Sequence, residues 1–166
     1  MSLKNILIYP EKKLRKKSLH VEKVDKKIHR LLDDLADTMY HAPGVGLAAP
    51  QIGENLRVLV VDVSTKEEDN DLLELINPEI THSSGTQSSE EGCLSIPGFY
   101  GNITRKKNVT VEALDRNGEE IVIEAEDLLS RVLQHEIDHL DGILFFDKMA
   151  KLKKELFLKK IDKAFR

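Results

Sequence analysis

The sequence contains a single cysteine and no long apolar run. One cysteine excludes an intramolecular disulfide, as is usual for proteins of reducing compartments. No stretch approaches the roughly 18 apolar residues that a membrane span requires. Residues 1–18 contain basic side chains but no apolar core of a secretory signal. We therefore expect a cytoplasmic chain that has no membrane partner.

The length and composition are those of one folded domain. With 166 residues, 40% hydrophobic and 33% charged, the chain can bury a core and is neither disordered nor membrane-embedded. The formal net charge of −4 argues against general nucleic-acid binding, so no DNA partner is expected. We predict one domain over residues 1–166, in which residues 147–166 form a basic C-terminal helix.

Hydrophobic spacing predicts a helix and two short strands in the first half. In residues 25–40 the apolar side chains recur at helical intervals, and Asp25 is placed to cap the helix. Residues 56–63 are mostly β-branched and predict a buried strand. Residues 72–78 predict another strand, which Pro78 is expected to end.

The second half predicts a hairpin followed by a helix. Residues 108–114 and 119–125 alternate apolar and polar side chains, and Asn117-Gly118 between them is a hairpin signal. Asp127 can then cap a helix that Gly142 terminates. The predicted fold class is α+β, with mostly antiparallel strands around this helix and a further helix at the C-terminus.

The predicted helix contains the pattern HExxH in QHEIDHLDG, residues 134–142. His135 and His139 are four residues apart, so their imidazoles share one helix face and can converge on one metal ion. Glu136 can then act as a general base. The alternative is two surface histidines on a charged helix.

A hydrolytic metal site of this kind usually has a third protein ligand and one open position. No histidine follows His139, so the metzincin pattern fails. The only cysteine, Cys93, lies upstream in EEGCLSIPG at 90–98, where glycine and proline indicate a sharply shaped loop or strand edge. A lone cysteine can also be a buried apolar residue or a nucleophile. Composition alone leaves these three interpretations open.

Three motifs occur in order: GVGLAAPQ at 44–51, EGCLS at 91–95 and QHEIDH at 134–139. With the opening segment YPEKKLRKKS, they make the sequence resemble the peptide deformylase family over nearly its whole length. The resemblance implies a hydrolase that removes the formyl group from the N-terminal formyl-methionine of nascent polypeptides and releases formate. It implies Cys93, His135 and His139 as ligands of one divalent ion, commonly Fe²⁺ in the cell, with Zn²⁺ or Ni²⁺ also possible.

The resemblance also assigns catalytic and substrate-binding roles. Glu136 would carry protons, while the side chain of Gln51 and the backbone N–H of Leu94 would stabilise the oxyanion. Without the motif, Gln51 would be an ordinary loop residue. Residues near the methionine pocket would be Val45, Gly46, Leu94, Tyr100, Val132 and His135. At Tyr100 several family members have a charged or long polar residue, so the preference next to the methionine is expected to differ.

Arg105 stands where the family usually has an arginine, and we expect it to pair with Glu91 and support the Cys93 loop. A solvated arginine is the alternative.

The C-terminal segment 147–166 holds eight Lys or Arg against three acidic residues, a local charge of +5. This asymmetry indicates an anionic partner, and the alternative is a solvated lysine-rich face. The resemblance implies contact with the large ribosomal subunit. We expect the helix to dock on the body through Met149, Leu152, Leu156, Leu158, Ile161 and Phe165.

Two other functions remain possible from the residues alone. A zincin-type endopeptidase shares HExxH but would take its third ligand from downstream. A metal-binding module without catalysis would need a closed site of four ligands.

Overall fold

The computed structural model describes residues 2–165, in which seven strands and three α-helices form an α+β fold. The helices are α1 (Lys26–His41), α2 (Asp127–Leu140) and α3 (Lys151–Ala164). The strands are β1 (Gly46–Ala48), β2 (Val58–Val61), β3 (Leu73–Ser84), β4 (Gln87–Cys93), β5 (Ile96–Arg105), β6 (Asn108–Leu114) and β7 (Glu120–Glu126). No helix of this part of the chain is long and apolar enough to cross a bilayer.

The strands form two antiparallel sheets. One has five strands in the order β1-β2-β3-β6-β7, and the other consists of β4 and β5. The predicted hairpin is confirmed: β6 and β7 pair from Asn108↔Glu126 to Leu114↔Glu120. Gly118 in its turn has a φ of 79°, a conformation that glycine adopts without strain. The predicted antiparallel α+β fold class is thus confirmed.

Strand β3 continues past the proline that was expected to end it. It pairs with β6 as far as Ser84, and the register shifts between Ile76 and Glu79. Pro78 lies in this bulge, where its missing N–H interrupts no regular ladder. The prediction failed because a bulge accommodates proline inside a strand.

Helix α1 begins where its sequence predicted. The Asp25 carboxylate accepts hydrogen bonds from the N–H groups of Lys27 and Ile28. Helix α2 differs at its start, because Glu126 is the N-cap residue. The predicted cap, Asp127, is the first residue of the helix and has a left-handed φ of 53°. Its end is as predicted, with Gly142 following in the left-handed conformation at a φ of 73°.

Both faces of the five-stranded sheet are covered at β2. Along β2, Val58 and Val60 pack in the core with α1, while Leu59 and Val61 pack in the core with α2. Successive side chains of a strand point to opposite faces, so a strand between two helices is apolar throughout. The sheet therefore holds α2, and the HExxH motif on it, in a fixed position.

Helix α3 docks through a face that only partly matches the predicted one. Phe157 and Ile161 are buried in a third core with aromatic residues of β5 and of the turn before α3, and three of the other predicted residues pack against it: Met149, Leu158 and Phe165. Leu152 and Leu156 are 69% and 53% exposed, so their expected burial was wrong. The buried stripe includes Phe157. Leu156 is its neighbour in the chain and therefore points about 100° away around the helix.

A candidate metal centre at the end of a cleft

Three potential metal ligands converge from two elements. Cys93 is the last residue of β4, and His135 and His139 are one turn apart on α2. One donor atom from each lies within 4.8 Å of the other two. Cys93 Sγ is 3.3 Å from His139 Nε2. These residues could therefore hold one ion.

The surroundings fit a metal ion. Thiolate and imidazole donors suit Zn²⁺ and related transition-metal ions, which bind three protein ligands and keep one position open in catalytic sites. Glu136 Oε1 and His139 Nδ1 are buried and have no hydrogen-bond partner among the described residues. A buried carboxylate oxygen without a donor is costly unless water or a cation lies beside it. Burial, together with the charge of His135, lowers the pKa of His139 and favours the neutral imidazole that binds metals.

Glu136 is held in a tight position beside this group. Glu136 is 4% exposed, and burial raises its pKa to about 7, although the charges of His135 and Arg105 oppose the shift. A Cβ placed on Gly46 would lie 2.7 Å from Glu136 Oε2. Gly46 therefore leaves the space that Glu136 fills, a reason for glycine that the sequence did not reveal.

The Gln51 amide is oriented by hydrogen bonds at both ends. Its Oε1 accepts a bond of 3.0 Å from the Ala48 N–H, so its NH₂ faces the other way. That NH₂ donates to Ser95 Oγ at 3.2 Å and lies 3.6 Å from Cys93 Sγ. Gln51 thus presents a fixed neutral donor beside the ligand group.

A cleft of about 460 Å³ opens next to these residues. Its walls include all six residues that the resemblance assigned to the methionine pocket: Val45, Gly46, Leu94, Tyr100, Val132 and His135. Gln51 and Glu136 also line it, whereas Leu128 and Arg131 line it without having been predicted. Leu128 and Arg131 precede His135 by seven and four residues on α2, so the helical spacing could have revealed them.

Tyr100 lies at the exposed mouth of the cleft. Its side chain is 62% exposed, and its ring lies where a Cβ on Gly92 would come within 2.6 Å of it. Glycine at position 92 therefore lets the ring lie across β4 beside Cys93.

A buried ion-pair network surrounds Nδ1 of His135. His135 donates from Nδ1 to Glu91 Oε1 at 3.0 Å, which leaves Nε2 for the ligand group. The predicted pair is confirmed, since Arg105 donates to both Glu91 oxygens at 2.6 and 3.0 Å. Burial would raise the pKa of Glu91, but the hydrogen bonds from His135 and Arg105 lower it to about 2. Sequence reasoning missed Arg131 and Asp138, which extend this network.

Comparison with known proteins gives the family. Residues 3–155 match the family described as polypeptide deformylase. The peptide deformylase of Thermodesulfovibrio yellowstonii is 53% identical over 160 residues, which cover 96% of this chain and 97% of that protein. The peptide deformylase of Rhizobium meliloti is 48% identical and covers 99% and 95%.

Solved structures agree. A peptide deformylase from Legionella pneumophila superimposes with a TM-score of 0.90 at 45% identity, over 99% of this chain and 96% of that one. The Ehrlichia chaffeensis enzyme in complex with actinonin gives 0.91 at 40% identity, over 100% and 99%. The chain therefore belongs to the polypeptide deformylase family and is a hydrolase of the peptide deformylase type.

Proposed function

We propose that this chain removes the formyl group from the N-terminal formyl-methionine of nascent polypeptides in a metal-dependent hydrolysis that releases formate. The observation that supports it best is the convergence of Cys93, His135 and His139 beside a buried glutamate and a fixed amide donor. We propose these three residues as the ligands, and Fe²⁺ as the ion in the cell, with Zn²⁺ or Ni²⁺ as possible replacements. Such an ion would polarise the formyl carbonyl and lower the pKa of a water molecule towards neutrality.

The residues around the ligands supply proton transfer and charge stabilisation. Glu136 accepts a proton from the attacking water and passes it to the leaving amine. Its buried position, which raises its pKa, suits a group that must both take up and release a proton near pH 7. A cation close by would lower this pKa again, because it stabilises the carboxylate. The amide of Gln51 and the backbone N–H of Leu94 stabilise the negative charge on the formyl oxygen.

The cleft recognises the substrate through its methionine. A formyl group is too small to provide specificity, so Val45, Gly46, Leu94, Tyr100, Val132 and His135 contact the methionine side chain or the adjacent backbone. Val132 is 6% exposed and Val45 is 46% exposed, so the walls pass from a closed end to an open mouth. An open mouth suits an enzyme that acts on many different chains.

Metal analysis and a formate-release assay on formyl-Met-Ala-Ser test this function. After anaerobic purification, the wild type should hold one metal ion per chain, and Cys93→Ala and His139→Ala should lose both metal and activity. Glu136→Gln should keep the metal and lose activity by about 10²–10⁴-fold. Full activity and full metal content in Cys93→Ala would contradict the ligand assignment.

The same assay separates the alternatives. An endopeptidase would cleave unformylated peptides, which we expect this chain to leave intact. A non-catalytic module would need a fourth ligand, and among residues 2–165 the group has three.

We propose that the enzyme acts in the cytoplasm and that α3 contacts the large ribosomal subunit. The helix buries Phe157 and Ile161 against the body, whereas Lys151, Lys153, Lys159 and Lys160 are exposed. An anionic surface such as ribosomal RNA would attract these lysines, and the contact would weaken steeply with salt.

Charge reversal tests the ribosome contact. Changing Lys151, Lys153, Lys159 and Lys160 to Glu should abolish co-sedimentation with ribosomes at low salt and leave formyl-peptide hydrolysis intact. The matched control reverses four exposed lysines elsewhere: Lys23, Lys26, Lys27 and Lys66. Equal sedimentation of both variants would leave α3 as a solvated face.

A further inference from the structure

The proposed ligands lie on two elements that no common sheet connects. Cys93 ends β4, and the β4–β5 sheet is separate from the five-stranded sheet within residues 2–165. His135 and His139 lie on α2, which packs on the five-stranded sheet. The distance between the thiol and the imidazoles is therefore set by side chains that connect β4 and β5 to α2.

Arg131 makes such a connection from the helix. It lies one turn before His135 and is 5% exposed. Its Nη2 donates to the backbone oxygen of Ile103 on β5 at 3.0 Å and to that of Gln87 on β4 at 3.4 Å. Its Nη1 donates to the carboxylate of Glu91, two residues before Cys93. One guanidinium thus joins α2 to both strands and to the carboxylate that orients His135.

Arg105 makes a different connection from the sheet. From the end of β5 it donates to both oxygens of Glu91 and, at 2.9 Å, to Asp138 of α2. Its hydrogen bonds all go to carboxylates, whereas Arg131 also binds backbone oxygens of the strands. Glu91 therefore keeps Arg105 as a charged partner when Arg131 is replaced. Loss of Arg131 removes its contacts from α2 to the backbones of Ile103 and Gln87 without leaving Glu91 unpaired.

We propose that Arg131 is a positioning residue of the metal centre. It fixes the strand that carries Cys93 against the helix that carries the histidines, and so sets how tightly the ion is held. Lysine cannot replace it, because an ammonium group lacks the planar fork that reaches three acceptors at once. This inference rests on the ligand assignment proposed above.

The experiment measures metal affinity in Arg131→Lys and Arg131→Met by competition of Zn²⁺ and Co²⁺ with a chelator. Both variants should bind these ions about 10–100-fold more weakly than the wild type, the usual range for residues that orient ligands. In the Co²⁺ forms, the thiolate-to-cobalt absorption band should shift or weaken, because the Cys93 sulfur is no longer held at its distance. Arg131→Lys keeps the charge and guards against a failure of Arg131→Met to fold.

Arg116→Lys is the matched control. Arg116 also joins separate elements through a guanidinium, since it donates to Glu74 and Asp33 outside the cleft. Its replacement should lower the melting temperature while metal affinity and the cobalt spectrum stay at wild-type values.

The outcomes are distinct. Metal affinity within twofold of the wild type and an unchanged cobalt band in Arg131→Lys would overturn the inference and leave Arg131 a purely structural residue. Cys93→Ala is measured in the same assay. If it binds metal as tightly as the wild type, Cys93 is not a ligand, and the proposed function is overturned instead.

Discussion

The contact between Gly46 and Glu136 allows a sharp test of the catalytic arrangement. In Gly46→Ala the added Cβ would lie 2.7 Å from Glu136 Oε2 and 2.8 Å from Glu136 Cγ. Ordinary carbon contacts are about 3.5–4.0 Å, so one of the two side chains must move by roughly 1 Å. Gly46 lies on β1 and its φ is not positive, so alanine fits the backbone and the effect comes from the space that the added Cβ takes.

The carboxylate is the group that must move, because the backbone of β1 would hold the added methyl group in place. Glu136 is buried, so it has little room, and overpacking of this kind costs typically about 1–3 kcal/mol of stability. A displacement of about 1 Å at a reacting group can lower activity about 10²-fold. We therefore expect kcat/KM for formyl-Met-Ala-Ser to fall about 10²-fold in Gly46→Ala, at unchanged metal content.

A double-mutant cycle identifies the cause. If the methyl group acts through Glu136, Gly46→Ala should have no further effect on formate release in a Glu136→Ala background. The control is Gly118→Ala in the β6–β7 turn, which strains the backbone at a φ of 79° and should reduce stability without reducing activity. Additive losses in the cycle, or activity of Gly46→Ala within threefold of the wild type, would refute the reasoning.

Three further predictions concern stability, measured by urea denaturation of metal-free protein. Phe157→Ala should lower the free energy of unfolding by about 3 kcal/mol, because a buried ring that packs against the body is lost. A loss below about 1 kcal/mol would mean that α3 does not stay docked. Asn77 has a φ of 53°, and its side chain makes two hydrogen bonds of 2.8 Å. Asn77→Ala should therefore lower the free energy of unfolding by about 3 kcal/mol, and Asn77→Gly by about 2, since glycine avoids the strain. A larger loss for glycine than for alanine would contradict this. The pKa of Glu91 falls from 4.5 to about 2 on folding, against the effect of burial, through hydrogen bonds from His135 and Arg105. Its contribution of ~3 kcal/mol to the free energy of unfolding is therefore present above pH 4.5 and is lost as the pH falls towards 2. The stability of Glu91→Gln should decline less steeply than that of the wild type over this range. An identical decline in both proteins would argue against the shift.

The sequence alone determined the elements whose signals are local. The spacing of apolar residues and the Asp25 cap specified α1, because a helix repeats every 3.6 residues and its first N–H groups need acceptors. Alternation and Asn117-Gly118 specified the β6–β7 hairpin for a similar local reason. The i, i+4 spacing put His135 and His139 on one face, and the motifs gave the family.

Other features depended on contacts between elements that are distant in the chain. Pro78 lies within β3 because a bulge formed against β6, and α3 docks through Phe157 because the aromatic core lies on that side. The residues near Pro78 and near Phe157 in the chain do not indicate that β6 and the aromatic core lie opposite them.

The site itself shows the same division. The motifs named Cys93 and Glu136, but only the packed structure brought the thiol to 3.3 Å from His139 and the glutamate against Gly46. Arg131 carried no signal beyond its helical position, since the strand carbonyls that it reaches lie 28 and 44 residues away. Sequence periodicity fixes which side chains share a face, whereas the tertiary packing of α2 against β4 and β5 decides which atoms meet.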